Sequence, residues 1–180
     1  FFSSVVAASE QWTPPELVRI PAGPFVMGST MEEREAAYRL DELAYGHTRT
    51  RQWKWYDDEK PKKPNLPAYQ ITRTPITNSQ YLSFVRSSGL PFPDVRKAEW
   101  TSYGLIHPYQ RTRRFAWVAG SYPKTRSQHP VVLISQADAE IYAKWVSHKT
   151  GQTWRLPTEE EWEKAARGAD GRWFPWGQKY

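Results

Sequence analysis

The chain of 180 residues contains no cysteine. That removes disulfides, thiolate metal sites and a cysteine nucleophile from these residues, and it leaves the redox compartment unreadable from cysteine pairing. Histidine is scarce as well. His47, His107, His129 and His148 are scattered, without the i, i+4 spacing that sets two imidazoles on one helix face. No Ser/His/Asp triad, phosphate-binding glycine loop or nucleotide fingerprint is present. No apolar run approaches the ~18 residues of a membrane-spanning helix. One further absence is local: between Thr101 and Ala137 there is no Asp or Glu, while Arg111, Arg113, Arg114, Lys124 and Arg126 all fall there. Such a basic face is either simply solvated or meets an acidic partner or the polar backbone of a peptide. Nucleic acid is not expected, because the aromatics sit in helical and turn contexts and no nucleic-acid-binding motif appears.

What the chain does have is aromatic mass and turn formers. Ten Trp, ten Tyr and seven Phe can fill a core, and fifteen Pro with ten Gly divide the chain into short pieces. The combination predicts a loop-rich α+β domain rather than a helical bundle. Net charge is +6.

Local signals place the elements. Residues 17 to 28 read as two short strands joined by the turn-forming cluster Pro21-Ala-Gly-Pro24. Thr30 with Glu33 suits a capping box for a surface helix that ends at Gly46, its apolar stripe carried by Ala37, Leu40 and Ala44. Thr77 with Gln80 caps a second helix, which presents Tyr81, Phe84 and Val85 and stops near Gly89. Ser135 caps a third, with Ile141, Tyr142, Trp145 and Val146 as its stripe and Gly151 after its last turn. Thr158, Glu161 and Gly168 bound a fourth. Residues 67 to 73 and 130 to 134 read as short strands that run into helices, and 90 to 128 as a long aromatic-rich loop. Trp145 and Trp162 are the expected core anchors. The polar and aromatic stretch from His47 to Lys63 carries Trp53, Trp55 and Tyr56, which serve either recognition or attachment of this insert to the domain.

The literal strings say more. Arg155-Leu-Pro-Thr-Glu-Glu-Glu-Trp-Glu-Lys-Ala-Ala-Arg-Gly168, followed by Asp170-Gly-Arg-Trp-Phe-Pro-Trp-Gly177, closely resembles the signature of the formylglycine-generating enzyme, or sulfatase-modifying factor, family. Leu17 to Ser29, Ile71 to Val85 and His129 to Trp145 resemble further segments of that family in the same order. Gln136 stands where the family commonly has Trp. The resemblance implies the formylglycine-generating-enzyme variant of the C-type-lectin-like α+β fold over residues 17–180, with an insert at 30–66. It also implies an oxidative protein- or peptide-maturation factor using copper held by a cysteine pair, with calcium in a structural role.

No position here matches those cysteines, so no catalytic or metal-binding residue is assigned and no cofactor follows from these residues alone. Two readings stand. In one the domain is incomplete at its C-terminus and ~100 further residues finish it; in the other the chain is a non-catalytic interaction or assembly subunit on the same scaffold. If catalysis resides here, His107, His129 and the loop tyrosines are its first candidates. The candidate binding residues are Arg111, Arg113, Arg114 and Trp117, together with Trp53 and Trp55, for a protein or peptide partner of acidic character. Residues 1–16 read as an export-signal remnant or an N-terminal tail, with small residues at Val6 and Ala8. An exported, periplasmic or otherwise extracytoplasmic protein follows, with membrane association only through segments upstream of Phe1.

Overall fold

The computed structural model describes residues 12–104 and 108–178. The N-terminal expectations from Phe1 to Ala8 and the candidate His107 lie outside the described residues. Two compact units are formed: Thr72–Leu156 joined by the described residues up to Leu17, and Val18–Ile71 joined by the chain from Pro157 onward.

The first unit is built on two helices. Helix α3 (Asn78–Ser88) begins where the Thr77 side chain accepts the Gln80 N–H and Gln80 reaches back to the Thr77 N–H, and it ends at Gly89 in the left-handed conformation. Helix α6 (Gln136–Thr150) repeats the device with Ser135 and Asp138, and Gly151 closes it. Each box satisfies N–H groups that a helix start leaves orphaned. The apolar spacing then turns Tyr81, Leu82, Phe84 and Val85 toward Tyr142 and Val146, and Trp117 joins them. Phe84 is 1% exposed and lies edge-on to the Tyr81, Tyr142 and Trp145 rings at centroid distances of 5.1, 5.4 and 5.7 Å. Edge-to-face contacts of this kind add to the burial of the rings themselves.

Three expectations need correction here. Residues 90 to 128 are not wholly loop, since they hold the short helices α4 (Lys97–Ser102) and α5 (Tyr109–Arg113); their few residues carry too little periodicity to be seen in sequence. Residues 130 to 134 form no strand, only an isolated bridge between Pro130 and Thr77. Ile141, placed on the buried stripe of α6, is 41% exposed.

In the second unit, β1 (Leu17–Ile20) pairs with β4 (Tyr69–Thr72), and β2 (Gly23–Pro24) pairs antiparallel with β3 (Asn65–Leu66). The two strands at 17–28 are therefore not partners of each other. The second ladder continues as Met27 and Lys62 exchange both backbone bonds, at 3.0 and 2.9 Å. Gly28 follows at a φ of 77°, where a β-carbon would lie 2.4 Å from the Lys60 carbonyl oxygen, so only glycine fits. Helix α1 (Met31–Tyr45) has the expected Thr30–Glu33 box and a left-handed Gly46. Its inward residue is Tyr38 rather than the alanine stripe, and Ala44 is exposed. Tyr38 donates to Asp57, accepts the Tyr56 N–H and lies under the Arg51 guanidinium of α2 (Arg49–Gln52). Arg51 is in turn held by Glu35 and Glu42.

Helix α7 (Glu159–Arg167) inverts the usual amphipathic rule. Its buried residues are Glu161 and Lys164, whereas Trp162 is 63% exposed, so Trp162 is no core anchor. The Lys164 ammonium donates to the carbonyls of Pro21 and Gly23, both at 2.8 Å. Arg167 donates to the Gly28 and Arg172 carbonyls at 2.6 Å and pairs with Glu33 and Glu163 at 2.8 Å. Such hydrogen bonds and ion pairs offset the cost of burying the charges.

Phe84→Ala should lower stability by about 3–5 kcal/mol, the range for removing a buried aromatic, whereas Trp162→Ala should cost less than ~1 kcal/mol. Denaturant unfolding of the two variants checks the order. Arg167→Ala leaves Glu33 and Glu163 facing each other without a counter-charge and should cost about 3 kcal/mol, near the figure for a half-removed buried pair. The same assay reads it, and recovery with Arg167→Lys should be partial because an ammonium lacks the planar fork.

Candidate functional site

The first unit carries a cleft of about 120 Å³ whose walls include Asn78, Phe115, Pro123, Arg126, His129 and Val132. Its floor is set by one segment pinned to the start of α3. The Asn78 and Ser79 N–H groups donate to the carbonyls of His129 and Ser127 at 2.9 and 3.0 Å, and the Asn78 side-chain amide donates to the Arg126 carbonyl at 2.8 Å. Val131 N–H adds a bond to the Ile76 carbonyl at 2.9 Å. With the helix-start N–H groups met by backbone carbonyls, the segment from 126 to 131 is fixed through its main chain. The side chains of Arg126 and His129 line the cleft, while Val131 packs against the core.

Arg126 follows a tight turn, its N–H donating to the Pro123 carbonyl at 3.1 Å. The residue before it, Thr125, has a φ of 68°. A β-branched residue in that region is strained by about 1–3 kcal/mol. The turn delivers the Arg126 guanidinium to 5.0 Å from the Phe115 ring centroid, and Arg114 lies over the same ring at 4.7 Å. Among the described residues neither guanidinium has a carboxylate within ion-pair distance. Arg111 and Arg114 are exposed, and Arg113 is half-buried on α5.

Arg114 thus belongs beside the cleft, and the structure adds to the candidate binding residues Arg126, read from the sequence only as one cation of the basic stretch, and His129, read only as a conditional catalytic candidate. The His129-Pro130 pair inside the acid-free stretch was the available signal. Trp117 is corrected: it is 5% exposed, its indole N–H donates to the Asn78 side-chain carbonyl at 3.3 Å, and it serves the core. Trp53 and Trp55 belong to the second unit. They are 56% and 53% exposed and lie against each other at 5.7 Å, joined by Lys54 at a φ of 54°. Of the aromatics in that insert it is Tyr56 that attaches it to α1, through Tyr38 and Asp41.

Proton chemistry has little to work with. Burial pushes the Tyr81 phenol up to about 12 and moves Tyr142 in the same direction, so both stay neutral hydroxyls near neutral pH. The Tyr103 phenol is raised by its hydrogen bond to Glu99. No group of three His, Cys, Asp or Glu that could hold a metal ion occurs among the described residues. A Cu(I) site selects soft thiolates and a calcium site needs several oxygens, so this donor set fits neither ion.

A family model described as the sulfatase-modifying factor enzyme 1-like domain matches residues 2–180. The chain belongs to this family. It is 28% identical over 194 residues to the formylglycine-generating enzyme of Mycobacterium tuberculosis, covering 91% of this chain and 55% of that protein. It is 28% identical over 188 residues to the inactive C-alpha-formylglycine-generating enzyme 2 of the mouse, covering 92% of this chain and 52% of that protein. Among solved structures, PvdO from Pseudomonas aeruginosa matches with a TM-score of 0.57 at 24% identity, over 87% of this chain and 49% of that one, a likeness of fold. The chain spans about half the length of the curated relatives it matches. Within the family signature, Glu163, Lys164 and Arg167 hold the segment from Pro21 to Gly28.

Thr125→Asn places a residue that tolerates positive φ in the turn and should raise stability by about 0.5–1 kcal/mol. Thermal unfolding of the variant against the parent checks this, and a loss would show that the turn has a different rest conformation.

Proposed function

We propose that this chain is the scaffold and partner-binding portion of an oxidative protein- or peptide-maturation factor of the sulfatase-modifying type. The observation that carries the reading is the family match over residues 2–180, supported by similarity to a named formylglycine-generating enzyme. In this reading the fold is the C-type-lectin-like variant, with residues 30–66 as an insert, and the protein acts after export. No helix among the described residues is long and apolar enough to cross a membrane.

The redox step is assigned to groups outside these 180 residues, because the sequence offers no thiol and the described residues offer no clustered ligands. Copper and calcium enter the proposal only through such groups. What these residues contribute is positioning. The cleft in the first unit gives a client polypeptide a cationic wall, and the paired Trp53 and Trp55 give an apolar surface in the second.

A second reading, a non-catalytic interaction subunit, is favoured by the mouse relative, whose name records it as inactive. The two are separated by assaying the native polypeptide that carries this sequence, with oxygen uptake and the mass of a cysteine-containing client peptide as readouts. Oxygen-dependent conversion of the peptide is the expected result. Retained binding of the peptide without conversion would establish the interaction subunit. The 180 residues by themselves should neither bind copper tightly nor oxidise the peptide, which copper titration and the same mass measurement check. Turnover by them would overturn the assignment and require a new ligand set, with His107, His129 and the loop tyrosines its first candidates.

A further inference from the structure

The basic stretch has its least explained feature at Phe115. Arg114 and Arg126 both place their guanidiniums over this one ring, at 4.7 and 5.0 Å. Like charges repel, and a protein normally relieves that with a carboxylate nearby. Here the segment from Thr101 to Ala137 supplies none, and neither arginine has an ion pair among the described residues. Lys124, which is exposed, adds a third cation one residue before the strained Thr125. The main chain of the segment is meanwhile tied down at Arg126, Ser127 and His129 by α3, so the backbone that carries Arg126 is held in place. Ordered cations beside an open cleft, without an internal counter-charge, form a preorganised anion receptor.

The walls narrow the choice of anion. Phe115, Pro123, Pro130 and Val132 present apolar surface, and Val132 is 40% exposed. A free inorganic anion would leave that surface wet. A carboxylate on a side chain, flanked by an apolar residue, would cover both the charge and the apolar wall. The planar guanidinium fork also matches a carboxylate geometrically.

We propose that this cleft binds an acidic segment of a partner polypeptide, with a Glu or Asp carboxylate on Arg126 and Arg114, and an adjacent aliphatic side chain against Pro130 and Val132. The inference rests on the reading of the protein as one that engages a polypeptide client. It concerns binding alone, so a failure to find oxidation leaves it standing, and its own failure leaves the family function in place.

The test is calorimetric titration of the full chain at low salt with three probes: the capped peptide Ala-Glu-Leu-Glu-Ala, its twin with Gln for both Glu, and inorganic phosphate. The acidic peptide should bind about tenfold tighter than its twin, as charge-assisted bonds predict, and the difference should shrink as salt rises. Arg126→Gln should abolish that preference while leaving the unfolding temperature unchanged, because Asn78 holds the main-chain carbonyl at this position and not the side chain. Arg126→Lys should restore part of the preference. Arg39→Gln removes the same charge from α1 in the other unit and should change nothing. Equal binding of the two peptides, a preference that survives Arg126→Gln, or phosphate binding more tightly than the acidic peptide would each overturn the proposal.

Discussion

The side chain of Asn78 is the contact on which the first unit turns. It is buried, and its two ends face different tasks: the carbonyl oxygen accepts the Trp117 indole N–H, and the amide donates to the Arg126 carbonyl. Its own backbone N–H reaches the His129 carbonyl. One residue therefore ties the aromatic core, the start of a helix and the wall of the cleft into a single arrangement. Without it, the buried indole donor would be left unmet, at about 1–3 kcal/mol, and the Arg126 carbonyl would keep only the His129 N–H at 3.1 Å. The cleft is thus rigid at its base for the same reason that the core is ordered beneath it.

The second unit reaches order by another route. Apart from Thr50, its buried polar residues are charged, and the charges are met by neighbours that differ in kind. Lys164 meets two carbonyls, whereas Arg167 meets two carboxylates and two carbonyls. Glu163 completes the set by accepting the Gly28 N–H at 2.8 Å. Because bonds from Glu163, Lys164 and Arg167 run to backbone atoms between Pro21 and Gly28, the helix fixes the path of a segment distant in sequence, and Lys164 also lies over the Phe25 ring at 6.0 Å. Gly28 then has to remain glycine, since its position places the next turn of chain against Lys60.

This contrast explains what the sequence made legible. Capping boxes at Thr30, Thr77, Ser135 and Thr158 are closed within four residues, so their chemistry is complete in the string itself, and all four helices start where expected. Gly168 shows the limit of that locality, for it takes a positive φ of 74° but an extended ψ of −163°. Trp162 was misread because apolarity is a guide to burial only where charges stay outside. On α7 Lys164 and Arg167 find partners more than a hundred positions away, in the carbonyls of Pro21, Gly23 and Gly28 and the carboxylate of Glu33, which no local pattern reveals. Trp117 was misread for the converse reason, since its cationic neighbours in sequence point to a surface while its indole points to Asn78.

The cleft was half legible on the same physical grounds. The absence of acids from Thr101 to Ala137 is a property of composition and marks a region of unbalanced positive charge. Which of its cations converge is a property of the turn at Thr125 and of the ring at Phe115, and both depend on the fold. Arg111 and Arg113 lie on α5 and differ in exposure, so nearness in sequence did not make them equivalent to Arg114. The family signature behaves in the same way: Glu163, Lys164 and Arg167 specify a clamp on the scaffold. A string can therefore identify the family while its most distinctive charged residues are occupied in holding the fold, and what the domain binds has to be argued from the cations that the fold leaves without partners.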